Sequence, residues 1–497
     1  MTRHLLRRNT ALLTLALMVA TLPADGRASL PDPVPLQIWA SRYEGGHWEG
    51  AGSIGSDIAL SPDGTRAFVT GSYGGDIATV AYDTASGQQL WVSRYVPPPD
   101  EPQPITEGSA ELAVSPDGRS LYVLGWETYY GHQLKSLLIA YDTDTGEQSW
   151  STRQYGDAVS AIGLSPDGSR IFAAGGTLVN AYDTAGKLLW RASFEAPDGL
   201  VWSAVSLSVG AEGEHLFVTG PASRWEWGSE PVWGGTTVAL DQRSGEIVWS
   251  KTATDGFWPL ALTLGPDGRS LFLTGGMFVG EVDVRAYVTE ALDAMTGTTL
   301  WRATYEPRLG TNLYVRSYAR AIALSPDGSR VYVTGGSYLP SVSVPSIYPR
   351  TPASAATLAY DAGTGRQLWV ARAALHNGEG ADLAVTPDGR HVFVTGKTSD
   401  YTSITTPGAP CTACFPDREY LTVGYEANTG LEIWSARYDA GEGDESANGL
   451  ALSRDGSRLF VTGQSDRSFE DRSFRDFVTF AYCTPGSLVS TPCPALP

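Results

Sequence analysis

The sequence predicts an all-β fold: an eight-bladed β-propeller of four-stranded antiparallel blades, its ring closed by an N-terminal strand. Three observations predict it. A tight-turn phrase occurs eight times, a tryptophan phrase follows it in most repeats, and the last repeat stops one strand short.

The turn phrase is Ser61-Pro62-Asp63-Gly64, repeated as Ser115–Gly118, Ser165–Gly168 and Ser325–Gly328. Looser copies are Gly210–Gly213, Gly265–Gly268, Thr386–Gly389 and Ser453–Gly456. Ser at the first position, Pro at the second and Gly at the fourth suit a type I turn in a hairpin. Each copy follows an apolar run such as Ile322-Ala323-Leu324. Each precedes an alternating run such as Val331-Tyr332-Val333-Thr334-Gly335, so each turn joins two strands.

The second phrase reads Ala-x-Asp-x-x-Thr/Ser-Gly-x-x-x-Trp. It spans Ala81–Trp91, Ala140–Trp150, Ala239–Trp249, Ala291–Trp301 and Ala359–Trp369. Ala181–Trp190 is one residue shorter, and Gly424–Trp434 carries Glu426 in place of Asp. The Asp can bond the turn backbone, the Gly supplies an unusual φ, and the Trp offers a broad apolar face. One unit therefore reads strand a, tight turn, strand b, variable loop, strand c, tight turn, strand d. Repetition of such units is the signature of a propeller. The eighth unit ends after Phe477–Tyr482, and its missing strand is found at the other end of the chain. Trp39-Ala40-Ser41-Arg42-Tyr43 matches Trp91–Tyr95 and Trp434–Tyr438. Closing the ring this way removes exposed sheet edges.

The tryptophan phrase resembles the docking motif of the quinoprotein (PQQ) alcohol dehydrogenase-like propellers, and the turn phrase resembles YVTN-type propeller repeats. The resemblance covers residues 36–486 and implies an eight-bladed ring. The dehydrogenases of that family carry adjacent disulfide-bonded cysteines against the cofactor. Here Cys411 and Cys414 are two residues apart, and no motif matches that family's calcium ligands. Non-enzymatic relatives of the same fold are therefore the better comparison. No cofactor is expected, with PQQ and Ca²⁺ as the alternatives.

The ends and the charge set the setting. Arg3, Arg7 and Arg8, the apolar stretch Thr10–Leu22 and the small residues Gly26 and Ala28 read as a signal peptide over 1–28. Residues 29–486 would form the propeller and 487–497 a C-terminal tail. Export implies a secreted or periplasmic protein, with no membrane span in the mature chain. A net charge of −19 excludes nucleic acid as the main partner. A monomer is expected.

Antiparallel strands place the a–b and c–d turns at one end of the ring, which is constant. The b–c loops and blade crossings lie at the other end, which varies. Cys411 falls at the variable end and Cys483 at the constant end, about 20 Å apart along a strand. An oxidising compartment then favours the local pairs Cys411–Cys414 and Cys483–Cys493. Variable loops on a rigid frame are where ligands bind. Trp202, Trp225, Trp227, Trp233 and Trp258 all map to the variable face around blade 4, as a platform for a glycan, a small molecule or a protein partner. Aligning strand a across blades brings Asp57, Glu111 and Asp382 to one equivalent position, as a cation site at the channel mouth, with Arg320 and Asn448 one step earlier. The alternative is an enzyme on this face, either a quinoprotein-like oxidoreductase or a lyase or hydrolase in which the loop histidine His47 or His376 would act as a general base with the channel carboxylates. Binding or scaffolding through the variable face is the leading expectation.

Overall fold

The computed structural model describes residues 36–485, apart from 44–53, 74–75, 98–103, 105, 130–132, 156–159, 211–212, 225–231, 280–283, 307–316, 339–352, 374–377, 400–417, 440–444 and 470–471. The signal-peptide reading of 1–28 and the tail 487–497 therefore lie outside the described residues.

The described strands pair antiparallel in eight units of four strands, numbered here as blades 1 to 8, the fourth carrying a further short strand, Val201–Trp202. Their first strands are Ile54–Leu60, Thr106–Val114, Ala161–Leu164, Ser206–Val209, Phe257–Leu264, Ser317–Leu324, Glu379–Val385 and Ser446–Leu452. Each packs on the next, and Ser446–Leu452 packs on Ile54–Leu60, so the contacts run in a cycle. Blade 8 takes its fourth strand from the N-terminus: Gln37–Tyr43 pairs with Arg472–Cys483, with Trp39 opposite Ala481. Blades 6 and 7 are also joined by a backbone bridge between Gly336 and Glu379.

Apolar clusters fill the spaces between neighbouring blades. Phe68 and Trp91 of blade 1 meet Leu112, Val123 and Ile139 of blade 2, all buried. The Thr of the Val-Thr-Gly phrase is buried as well. It is satisfied by a second Thr on the paired strand, as in Thr219 and Thr237, whose hydroxyls are 2.7 Å apart. A buried hydroxyl without such a partner would cost about 1–3 kcal/mol.

The tryptophan phrase works at the joints. Trp91 lies over Gly146 of the next blade, and its Nε1 donates to the Thr143 carbonyl at 3.0 Å. A Cβ on Gly146 would stand 2.6 Å from the indole, and the residue has φ +73°. Only glycine meets both demands. Trp39, Trp150, Trp190, Trp249, Trp301 and Trp369 dock in the same way. Trp434 is the exception. It faces blade 8, whose third and fourth strands come from opposite ends of the chain and share no turn. Its Nε1 is buried with no hydrogen-bond partner among the described residues.

A second belt runs beside the first. Arg42 donates to the Tyr438 hydroxyl of blade 7 at 2.7 Å and to Asp476 at 2.7 Å. Arg94 donates to Tyr43 at 3.1 Å, Arg153 to Tyr95, and Arg372 to Tyr305. The Arg of one fourth strand thus ties the Tyr of the preceding blade. This is why Arg and Tyr follow the Trp in so many repeats.

Candidate functional site: the central channel

The first strands face the axis of the ring. In six of the blades the pairing slips by one residue at the same place, inserting Ser56, Ala110, Leu260, Arg320, Ala381 and Asn448. Such a bulge turns a residue that would face a neighbour toward another direction. Here it lets two successive residues line the channel, as with Ser56 and Asp57, Arg320 and Ala321, or Ala381 and Asp382. The resulting cavity holds about 720 Å³ and is lined from seven blades.

The two sides of the cavity differ. Blades 7, 1 and 2 contribute Asp382, Asp57 and Glu111, and blade 8, between 7 and 1, contributes Asn448. Blades 4 and 5 contribute Val205, Leu260, Ala261 and Leu262. The acidic side chains also clasp the ring. Asp57 accepts from the backbone N–H of Leu112 in the next blade at 3.0 Å and from its own neighbour Ile58 at 2.8 Å. Glu111 accepts from Ile162 at 2.9 Å, and Asp382 accepts from Leu450 at 3.0 Å. Ser206 does the same for Leu262 at 3.2 Å. Each bond satisfies an inner-edge amide that has no further strand to pair with.

These carboxylates are held at a cost in charge. Burial pushes Asp57 up to about 7, helped by the charge of Asp382, while its two amide bonds pull the other way. Burial, then Asp57, pushes Glu111 up to about 8. Burial raises Asp382 to about 6. Near neutral pH the three carboxyls therefore carry less than their full negative charge, because burial disfavours the ionised form.

Nearer the variable end lies a second cluster. Glu379 is buried, accepts from Arg320 at 2.9 Å and from the Tyr318 hydroxyl at 2.7 Å, and pairs with Lys397 at 3.1 Å. Burial alone would raise its pKa, but Lys397 and Arg320 hold it below the usual carboxylate range. Ser56, Ser109, Ser446 and Asn448 complete a recess of about 400 Å³ there.

The residues expected from sequence are distributed unevenly. Asp57, Glu111 and Asp382 do line one cavity. Among the described residues, however, no three His, Cys, Asp or Glu side chains gather as a cation site. Trp202, Trp233 and Trp258 lie on strands rather than in loops. Trp202 is 1% exposed, donates to the Thr236 carbonyl at 3.2 Å and packs edge-on against Phe194. It offers no face to a ligand, which corrects its place in the platform. Trp258 is also buried, spread over Gly276, where a Cβ would come within 2.3 Å of the ring. Trp233 is 41% exposed. Trp225, Trp227, His47, His376, Cys411, Cys414 and Cys493 lie outside the described residues. Cys483 ends the third strand of blade 8 and is 8% exposed. Sequence reading missed the Glu379 cluster. Its signal was faint: a Glu three residues before Asp382, in the position where other blades carry Gly108 or Ser446.

Comparison with known proteins agrees with this architecture. The family described as outer membrane protein assembly factor BamB matches residues 74–256, 174–336 and 284–406 in overlapping stretches. The chain belongs to this PQQ-like repeat family. A curated relative, quinohemoprotein alcohol dehydrogenase ADH IIB of Pseudomonas putida, is 31% identical over 116 residues. That match spans 22% of this chain and 16% of the dehydrogenase. Among solved structures, the C-terminal WD40 domain of Sif2 superposes with a TM-score of 0.55 at 9% identity, covering 91% of this chain and 99% of that one. Quinohemoprotein alcohol dehydrogenase from Comamonas testosteroni gives 0.53 at 14% identity, covering 93% and 77%. Both likenesses concern the fold.

PQQ itself is a planar quinone bearing three carboxylates. The described channel residues do not fit it. They present three carboxylates of their own, each engaged by a backbone amide, and among the described lining residues Tyr318 is the one aromatic side chain, its hydroxyl committed to Glu379.

Proposed function

We propose that the chain is an exported binding propeller, and that its ligand enters the central channel from the variable-loop end. The observation that carries this reading is the cavity of about 720 Å³, whose walls differ from blade to blade on a frame that otherwise repeats. Repetition explains packing, and departures from repetition at one place point to a ligand. The buried state of Trp202 and Trp258 moves the emphasis from a tryptophan platform to the axis. Trp233, with Trp225 and Trp227, remains as a rim contact. Export through the N-terminal signal, local disulfides at Cys411–Cys414 and Cys483–Cys493, and a monomeric state belong to the same proposal. Among the described residues no helix is long and apolar enough to cross a membrane.

The similarity to quinohemoprotein dehydrogenases supports one rival, a quinone-dependent oxidoreductase. Adding PQQ and Ca²⁺ and following absorbance and dye reduction separates the two; dye reduction would favour the rival. The channel itself is tested by a thermal-shift screen of small polar compounds against the native chain and Ala261→Trp, which fills the apolar wall. A ligand at about 100 times its dissociation constant adds about 2.7 kcal/mol of stability. The proposal expects a hit that Ala261→Trp abolishes. Hits that survive the substitution would place the site elsewhere.

A further inference from the structure

The channel has two unlike arcs. Blades 8, 1 and 2 line one of them with Ser446, Asn448, Ser56, Ser109 and Glu111. Blades 4, 5 and 6 line the other with Val205, Leu260, Leu262 and Ile322. In a ring of eight, these two sets of three blades face each other across the axis. The recess of about 400 Å³ and the cavity of about 720 Å³ share Ser56, Arg320, Ala381 and Asn448, so they form one space. Both volumes fall in the range of small-molecule sites.

The charged groups of this space are already committed. Arg320, Lys397 and the Tyr318 hydroxyl all meet Glu379. Asp57 and Asp382 each take a backbone amide on both oxygens. What remains on the polar arc is hydrogen-bonding capacity. Asn448 donates one N–H to the Gly55 carbonyl at 2.8 Å, and its second N–H has no partner among the described residues. Glu111 gives one oxygen to the Ile162 amide, and its other oxygen has no partner among the described residues. Ser56 donates to the Ser109 carbonyl at 3.1 Å, and Ser446 donates to the Asn448 side-chain oxygen at 3.1 Å. Both hydroxyls keep acceptor capacity.

We infer that the channel binds a small neutral polyol, of the kind a mono- or disaccharide presents. Its hydroxyls would meet the arc of blades 8, 1 and 2, and its C–H face would cover the arc of blades 4, 5 and 6. This inference rests on the channel being the binding site. The chemistry follows from the open positions. They are mostly acceptors, with one amide donor beside them, and a polyol carries a group that both donates and accepts on nearly every carbon. A carboxyl accepts a hydroxyl whether ionised or not, and more strongly when ionised. A simple alcohol or amine would leave most of these positions unpaired, and an unpaired buried polar group weakens binding. An anion would face Asp57, Glu111 and Asp382. A sugar ring is two-faced, polar at its edge and apolar on its C–H face, and so is the channel.

The test is calorimetric titration of the purified full chain at pH 7. The probes are glucose, galactose and trehalose, with glucuronate as an anion and with cyclohexanol and cyclohexylamine as rings that lack the hydroxyl set. The inference expects at least one of the sugars to bind about tenfold tighter, or more, than each of the other compounds. Asn448→Leu removes the open N–H at similar volume and should weaken that sugar by about tenfold. Ser446→Ala removes one hydroxyl and should weaken it by about threefold. Cyclohexylamine binding as tightly as the sugars would overturn the polyol and make the axis a cation site. Sugar affinity unchanged in both variants would overturn it too, and so would dissociation constants above about 1 mM for all the sugars. The channel reading is judged separately. A different compound whose binding is lost in Ala261→Trp would uphold the channel while the polyol falls. A sugar that binds native chain and Ala261→Trp equally would overturn both. Circular dichroism of each variant confirms that the ring is folded.

Discussion

The rim and the axis of the ring are built on one repeating backbone and use it in opposite ways. At the rim, seven indoles make one contact seven times: a ring over a glycine and an N–H on a carbonyl of the next blade. At the axis, the equivalent positions carry Asp57, Glu111, Ala161, Ser206, Ala261, Ala321, Asp382 and Gly449. The rim is apolar and satisfied; the axis is polar and electrically strained. Where the repeat is kept, the residue is explained by packing. Where it is broken, the side chains line the cavity, and Asp57, Glu111, Ser206 and Asp382 also hold an amide of the next blade.

Breaking the rim should have the largest effect. Trp91→Ala removes an indole from the joint between blades 1 and 2 and should cost about 3–5 kcal/mol, read by chemical denaturation. Gly146→Ala attacks the same contact from the other side. A left-handed backbone and a Cβ against the indole together should cost about 2–4 kcal/mol. Neither change should alter ligand affinity in the channel, and a large loss of affinity would erase the distinction between rim and axis.

The axis should show itself through pH. Asp57, Glu111 and Asp382 have folded pKa values raised above their unfolded values, so the folded chain binds more protons. Their contribution to stability is complete at low pH and is lost as pH rises through about 6 to 8. The turn carboxylates behave in the opposite sense. Asp63, Asp117 and Asp327 are lowered by the Ser hydroxyl and amide bonds of their turns, so their contribution is lost as pH falls below about 4. Melting temperature should therefore peak near pH 5 and decline toward pH 8. A curve flat from pH 5 to 8 would contradict the raised values at the axis.

The smallest effect separates the joints from one another. Trp91→Phe leaves the Thr143 carbonyl without its donor, whereas Trp434→Phe removes an N–H that has no partner among the described residues. The first should cost about 1 kcal/mol more than the second. Equal costs would mean that the indole bond contributes nothing at the seven ordinary joints.

These contrasts also show what the chain reveals by itself. The strands, the turns, the docking tryptophans and the N-terminal completion of blade 8 were legible because each leaves a periodic mark. So was the convergence of Asp57, Glu111 and Asp382, through alignment of first strands. Their use was not legible. Whether a carboxylate holds a cation or a neighbouring amide depends on a bulge that has no residue signature, since Ser56, Leu260 and Asn448 all occupy it. The Arg–Tyr belt was visible as letters and went unread, because its partner lies a whole blade away. Trp202 was misread as a loop residue because the short strand Val201–Trp202 carries no alternating pattern.

The central claim is that the axis gives up stability in order to hold charge for a ligand. Glu111→Gln tests it most directly, measured for melting temperature at pH 9. The variant retains the Ile162 bond and loses the unbalanced charge. The account predicts a protein more stable than the native chain, by roughly 1–2 kcal/mol after allowance for solvent screening. A melting temperature below that of the native chain would contradict it, and would make the carboxylate a structural clasp.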